Sequence, residues 1–281
     1  MDVALVSMPF AEVQRPSIAL GLLRAALDGS PIGSEIIYGN FAFAETIGLI
    51  TYQALQASPA DHLLGEWCFS DRLLPGFEGD DDEYLDCVLE VRTPGLPPAL
   101  EQRKDVLRWS RAQTSHYLDR LADSIVARKP RIVGCSSVFQ QHCASLALLK
   151  RIRERSPDTV TLMGGANCEG EMGVETLRAF PWIDCIVSGE ADAFFRDLCV
   201  RFLDGGRDPD PMTLPYGVQT QATIRKLPSN GEGPPRSILQ NLDSLPTPHY
   251  DEYFAALRAS TLSGLIQPGL LAESSRGCWW G

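Results

Sequence analysis

What the sequence lacks narrows its function before any motif is read. Its 281 residues hold no apolar run near the ~18 residues of a membrane-spanning helix. Asp2 and Pro9 stand where a secretory signal needs a basic start and an unbroken apolar stretch. Cations are outnumbered: 25 Lys and Arg against 36 Asp and Glu give a net charge of −11 at pH 7. No general basic face is therefore available for nucleic acid or an anionic membrane, and neither is expected as a partner. Of the eight cysteines, no two have C-x-x-C spacing, which argues against a zinc knuckle. Without an export signal they are expected as reduced thiols of a cytoplasmic protein. No loop has the G-x-G-x-x-G or P-loop spacing of a nucleotide or FMN domain. What remains is globular, with 44% hydrophobic and 22% charged residues, enough for a sizeable core.

The run Val3-Ala4-Leu5-Val6 ends at Ser7-Met8-Pro9, the pattern of a buried strand and a loop. Ser17 can cap a helix through Ala25-Ala26-Leu27, and Ile36-Ile37-Tyr38 supplies a second strand. Strand, helix, strand implies a parallel pair. Residues 41–97 break this pattern with aromatics, Pro94, Pro97 and Pro98; their acidic run Asp80-Asp81-Asp82-Glu83 reads as a solvated turn. Helical spacing returns over Ala99 to Lys129, so a partly helical insertion of about 41–115 is expected.

Regular alternation follows. Strands are expected at Ile132–Ser136, Val160–Met163 and Ile183–Val187, with helices at Ala144–Arg155, Glu171–Phe180 and Ala191–Leu203. The expected fold is α/β: a doubly wound, five-stranded parallel sheet of Rossmann-like or flavodoxin-like type spanning residues 1–203. Residues 204–268, rich in Pro and Gly, read as a linker with a small hairpin around Val218 to Lys226 and a strap near Leu242 to Tyr253. Leu270-Leu271-Ala272-Glu273 reads as a strand opening a further domain at 269–281.

Ligands of such sheets sit beyond the carboxyl ends of the strands. The loops there hold Pro9, Phe10 and Ser17; Ser136, Ser137, Val138 and Phe139; Gly164, Gly165, Ala166 and Asn167; and Ser188, Gly189 and Glu190. Glycines let a flat ligand approach the backbone, and serines can bond its polar tail. Each loop alone reads equally well as an ordinary turn; together they point to one ligand site. Glu169, Glu171 and Glu190 stand at helix starts, where carboxylates meet the positive end of the dipole. His142 also reads as a helix-start residue, and His62, His116 and His249 have no partner pattern. Apart from Cys278 and Cys168, the cysteines read as buried structural thiols.

Met8-Pro9-Phe10 with Arg15-Pro16-Ser17-Ile18-Ala19-Leu20-Gly21 resembles the opening of cobalamin (B12)-dependent radical SAM proteins. Ser136-Ser137-Val138-Phe139, Met163 to Gly173 and the loop Val187 to Asp192 resemble their B12-binding domain, while Gly164 to Gly173 and Arg276-Gly277-Cys278-Trp279-Trp280-Gly281 are most similar to the subfamily that matures ribosomally made peptides, C-methyltransferases included. The resemblance implies a cobalamin-binding domain whose cofactor is bound base-off, because the loop after the first strand has no histidine to ligate cobalt. It implies Cys278 as one of three thiolates for a [4Fe–4S] cluster that binds S-adenosylmethionine. The other two cysteines are not in these 281 residues, so the chain is expected to be the truncated, inactive N-terminal portion of such an enzyme. A corrinoid and a precursor peptide are the implied partners. The alternative is a non-catalytic α/β ligand-binding or protein-interaction module.

Overall fold

The computed structural model describes residues 1–74, 76, 79–90, 93–225 and 234–276. Strand β1 (Val3–Ser7) is buried throughout, as a central parallel strand covered on both faces must be. Helix α1 (Ile18–Ala25) starts at Ser17, whose hydroxyl accepts from the Leu20 N–H at 3.3 Å, so the expected cap is present. Strand β2 (Ser34–Tyr38) follows.

The segment read as an irregular insertion is mostly helical: α2 (Gly39–Ile47), α3 (Leu49–Gln56), α4 (Leu64–Ser70), α5 (Asp81–Val88) and the long α6 (Leu100–Val126). Its aromatic residues hold it to the body of the protein. Phe43, Tyr52, Phe69 and Tyr117 cluster with Phe10 from the loop after β1, ring to ring at 4.9–6.2 Å. The acidic run is solvated, but it starts a helix rather than forming a turn. Asp80 caps α5 by accepting from the Asp82 and Glu83 N–H groups, and Asp81 accepts from Trp67 Nε1 at 2.8 Å. Consecutive carboxylates at a helix N-terminus are stabilised by its dipole, a pattern that in sequence looks like a turn.

Next come β3 (Ile132–Ser136), α7 (His142–Arg155), β4 (Val160–Gly164), α8 (Gly170–Ala179), β5 (Cys185–Val187) and α9 (Phe195–Gly205). The sheet order is β2-β1-β3-β4-β5-β6, with the first five strands parallel. The sixth, β6 (Val218–Thr220), is antiparallel to β5 and corrects the expected five-stranded sheet. The hairpin expected there is instead this strand running into α10 (Gln221–Ile224) through a Thr220–Thr223 capping box; Lys226 lies outside the described residues. β6 pairs the otherwise open edge of the three-residue β5.

Helix α11 (Asp251–Ala259) packs on β2 at the opposite edge. Tyr253 is fully buried against Tyr38 and Phe41, its hydroxyl donating to the Val13 carbonyl at 2.9 Å. Residues 270–273 form no strand, contrary to expectation. They run beside the loop ends rather than along a sheet edge: Gly269 N–H donates to Gln14 O, and Tyr250 hydroxyl to Leu271 O.

Candidate functional site

Register decides what lies on each face of the sheet. Leu5, Gly134 and Leu162 are paired neighbours on β1, β3 and β4, so they point to the same side, toward α1 and α9. Cys135, one residue on, faces the opposite side, as alternation along a strand requires. The middle position of the row has no side chain. A Cβ on Gly134 would meet Leu5 Cδ2 at 3.3 Å and Leu162 Cδ2 at 3.6 Å. The hollow so left is roofed by Ile18, Ala19 and Leu23 of α1 and by Phe195 of α9, making an apolar slot of about 250 Å³.

One rung toward the carboxyl ends, Ser136 pairs with Gly164, and the slot opens there among Gly165, Gly189 and Glu190. The three rim glycines have different causes. At Gly164 a Cβ would meet Val187 no closer than 3.8 Å, so the position is open toward the slot. Gly165 (φ +95°) and Gly189 (φ +91°) are left-handed, and a Cβ on them would lie 2.5 Å from Ser137 O and 2.1 Å from Ser237 O. Those two glycines make room for the protein's own backbone.

Several residues expected to face a ligand are spent on the protein itself. Phe10 is in the aromatic cluster and Pro9 is buried, neither lining the slot. Ser17 caps α1 and borders a second hollow of about 250 Å³ beside the slot. Ser137 is fully buried; its hydroxyl lies 3.2 Å from His142 Nδ1 and accepts from Asn167 Nδ2 at 3.1 Å. Asn167 also donates to Val138 O at 2.6 Å, so these two side chains staple the β3 and β4 loops together. Ser188 Oγ is likewise taken, accepting from Gly170 N–H at 2.9 Å. Ala166, Val138 and Phe139 do reach the surface, the last two 45% and 42% exposed, an apolar patch beyond the strand ends.

Of the carboxylates expected at helix starts, Glu171 lies in the first turn of α8, whereas the other two act differently. Glu169 pairs with Arg236 at 3.1 Å, and Glu190 accepts from the Leu239 N–H, both holding the segment that precedes the strap. The cap on α7 comes from Glu66 of α4, which accepts from His142 N–H at 2.9 Å and Cys143 N–H at 2.7 Å. Gln140, buried in a left-handed conformation (φ 60°), donates to Leu55 O at 2.9 Å and accepts from Gly65 N–H. The helical insertion thus grips the loop after β3 from outside, a role for which no local sequence signal exists.

His142 is a helix-start residue, its ring between Ser137 Oγ and Thr176 Oγ1, each 3.2 Å away. Burial lowers its pKa, with nearby Glu66 opposing. His249 has a partner that spacing did not reveal, Asp28 Oδ2 at 2.6 Å. Burial pushes the Cys135, Cys168 and Cys199 thiols up to about 12, the range of inert structural cysteines. Cys168, in the β4 loop, is fully buried. Cys278, Trp279 and Trp280 lie outside the described residues, and no group of three or more His, Cys, Asp or Glu suited to a metal exists among those described.

Arg276 closes the mouth. Its guanidinium donates to Asp192 Oδ2 at 2.8 Å and to Glu273 at 2.7 Å, with Glu190 at 3.7 Å. Glu273 first, then Asp192, hold its pKa above the ordinary arginine range. No helix among the described residues is long and apolar enough to cross a membrane.

No family model matches this chain. It is 30% identical over 127 residues to the anaerobic magnesium-protoporphyrin IX monomethyl ester cyclase of Rubrivivax gelatinosus, covering 45% of this chain and 22% of that protein. It is 28% identical over 122 residues to an uncharacterized methyltransferase of Pyrococcus horikoshii, covering 43% of this chain and 25% of that protein. The chain therefore resembles parts of a cyclase and a methyltransferase, and each match spans about a quarter of the relative's length.

Proposed function

We propose that this chain is the cobalamin-binding portion of a B12-dependent radical SAM enzyme that modifies a ribosomally made peptide, with C-methylation as the reaction of the complete protein. The observation that carries this reading is the slot. It is apolar, lies between a parallel sheet and two helices, and opens at the carboxyl ends of the strands where such sheets bind ligands. At about 250 Å³ it is smaller than the ~300–1,000 Å³ usual for a whole small-molecule site, so it suits a ligand's tail and leaves the bulk outside.

The residues present fit that group. Gly134 keeps the floor open, Leu5, Leu162, Ile18 and Phe195 form apolar walls, and Ser136 and Gly164 edge the opening. Val138, Phe139 and Ala166 offer an apolar surface just outside. No imidazole lines the slot: among the described residues His142 and His249 are engaged elsewhere, which supports a corrinoid held without a histidine ligand. Bound there, the corrinoid would supply methyl-transfer chemistry, and the protein's part is to position it and exclude water. A [4Fe–4S] cluster, S-adenosylmethionine and the peptide belong to the longer enzyme, in which Cys278 would be one cluster ligand.

The test is to add hydroxocobalamin to the purified chain and pass it through gel filtration. A corrinoid spectrum that co-elutes with the protein at one equivalent is expected. Gly134→Leu fills the floor and should weaken retention at least about tenfold, with its far-UV circular dichroism showing the fold retained. Absence of retained corrinoid on the unaltered chain would overturn the reading.

A further inference from the structure

We propose that the slot selects corrinoids by the base at the end of the nucleotide tail, accepting apolar aromatic bases of the benzimidazole or phenol type and excluding purines. This inference rests on the corrinoid reading above. It comes from where polarity lies along the slot. The deep row is Leu5, Gly134 and Leu162 on the sheet, faced by Ile18, Ala19, Leu20 and Leu23 from α1 and Phe195 from α9. No side chain there can donate or accept a hydrogen bond. The peptide groups of β1, β3 and β4 are engaged in the ladders, and alternation along β3 turns the Cys135 side chain to the other face.

All polar lining is one rung or more outward: Ser136 at the strand end, then Glu190, Asp192, Glu273 and Arg276 around the mouth. The four charged groups are tied to one another by the Arg276 pairs, so none reaches inward as an unspent partner. Among the described residues, no buried polar side-chain atom left without a hydrogen bond belongs to the slot lining. A base on this floor must therefore satisfy its polar atoms internally or leave them unsatisfied.

Adenine carries an exocyclic amine and several ring nitrogens that would lose water and gain nothing. One buried unsatisfied group costs about 1–3 kcal/mol, roughly 5- to 150-fold in affinity. Dimethylbenzimidazole buries one ring nitrogen and two methyls, and a p-cresol base buries no nitrogen at all. The slot should thus tolerate a base that has no nitrogen, as a site that ligated or hydrogen-bonded the base could not.

The experiment titrates the purified chain with four corrinoids and reads affinity from quenching of intrinsic tryptophan fluorescence, with gel-filtration retention as a second measure. The ligands carry dimethylbenzimidazole, p-cresol or adenine as the base, and the fourth, cobinamide, lacks the tail. Expected are similar constants for the first two, within about threefold, and adenine at least about tenfold weaker. Cobinamide should bind weakest. Equal affinity for the adenine and dimethylbenzimidazole forms overturns the base selectivity while the corrinoid reading stands. Cobinamide binding as tightly as the complete cofactor overturns tail insertion. Binding of none of the four ends both claims.

Discussion

His142 illustrates how burial can outweigh a neighbouring charge in setting the chemistry of a titratable side chain. Its ring is enclosed between Ser137 and Thr176, and desolvation holds its folded-state pKa below that of the unfolded chain. The sign follows from proton counting. Below about pH 6.5, the usual histidine value, the unfolded chain binds a proton that the folded chain resists, so stability is lost as pH falls from that point. His142→Gln, which keeps a hydrogen-bonding side chain, should flatten that part of a urea-midpoint-versus-pH curve. A curve of unchanged slope between pH 6.5 and 5 would show that the imidazole is not responsible. Asp28 titrates in a separate, lower window: its pKa is lowered by its bond to His249, so its contribution is lost only as pH falls below the carboxylate range.

At the residue scale, too, glycine and serine could be recognised as rim residues without their tasks being readable. Gly164 and Ser136 border the slot, while Gly165, Ser137 and Ser188 serve the protein's own loops. Their spacing in sequence is the same kind of signal in both cases. Gly134, a lone glycine inside an apolar strand run, is a local signal the sequence reading passed over, since glycine within a strand marks a close approach or a gap.

At the scale of elements, the loop after β3 is held from outside the sheet. Glu66 on α4 takes two of the free N–H groups at the start of α7, and Gln140 plugs into the α3–α4 region. Glu66→Ala leaves those two N–H groups without acceptors and removes a charge favoured by the helix dipole. About 1–2 kcal/mol of stability should be lost in urea denaturation, and Glu66→Gln should restore part of it. A change under a few tenths of a kcal/mol would mean water replaces the carboxylate at no cost. The parallel strands and their helices were readable because buried strands give continuous apolar runs and their covering helices a 3.6-residue period. α2 to α5 were not, because short helices packed on several sides lose that stripe.

For the whole molecule, the C-terminal third acts as a belt around the sheet. β6 closes one edge, α11 covers the other, and residues 269–276 pass over the rim to Arg276. Among the described residues, that last passage is held by Gly269 to Gln14, by Tyr250 to Leu271, and by the Arg276 pairs with Asp192 and Glu190. Arg276→Ala should let it open more often, and the Gly269 amide should exchange with deuterium about tenfold faster. Exchange unchanged by the substitution would assign the hold to the other two contacts. Because Arg276 and Glu273 line the slot mouth, the same opening would set how easily the tail of the proposed corrinoid enters.

The sequence by itself determined the parallel α/β sheet and the cap at Ser17, because apolar periodicity and a capping side chain are local properties of the chain. Tertiary structure decided the rest: the sixth strand, the embedding of Phe10, the stapling by Ser137 and Asn167, and the slot over Gly134. Each of these depends on register between strands or on contacts between residues far apart in the chain. A one-residue shift in register would turn Gly134 to the other face and leave the composition untouched.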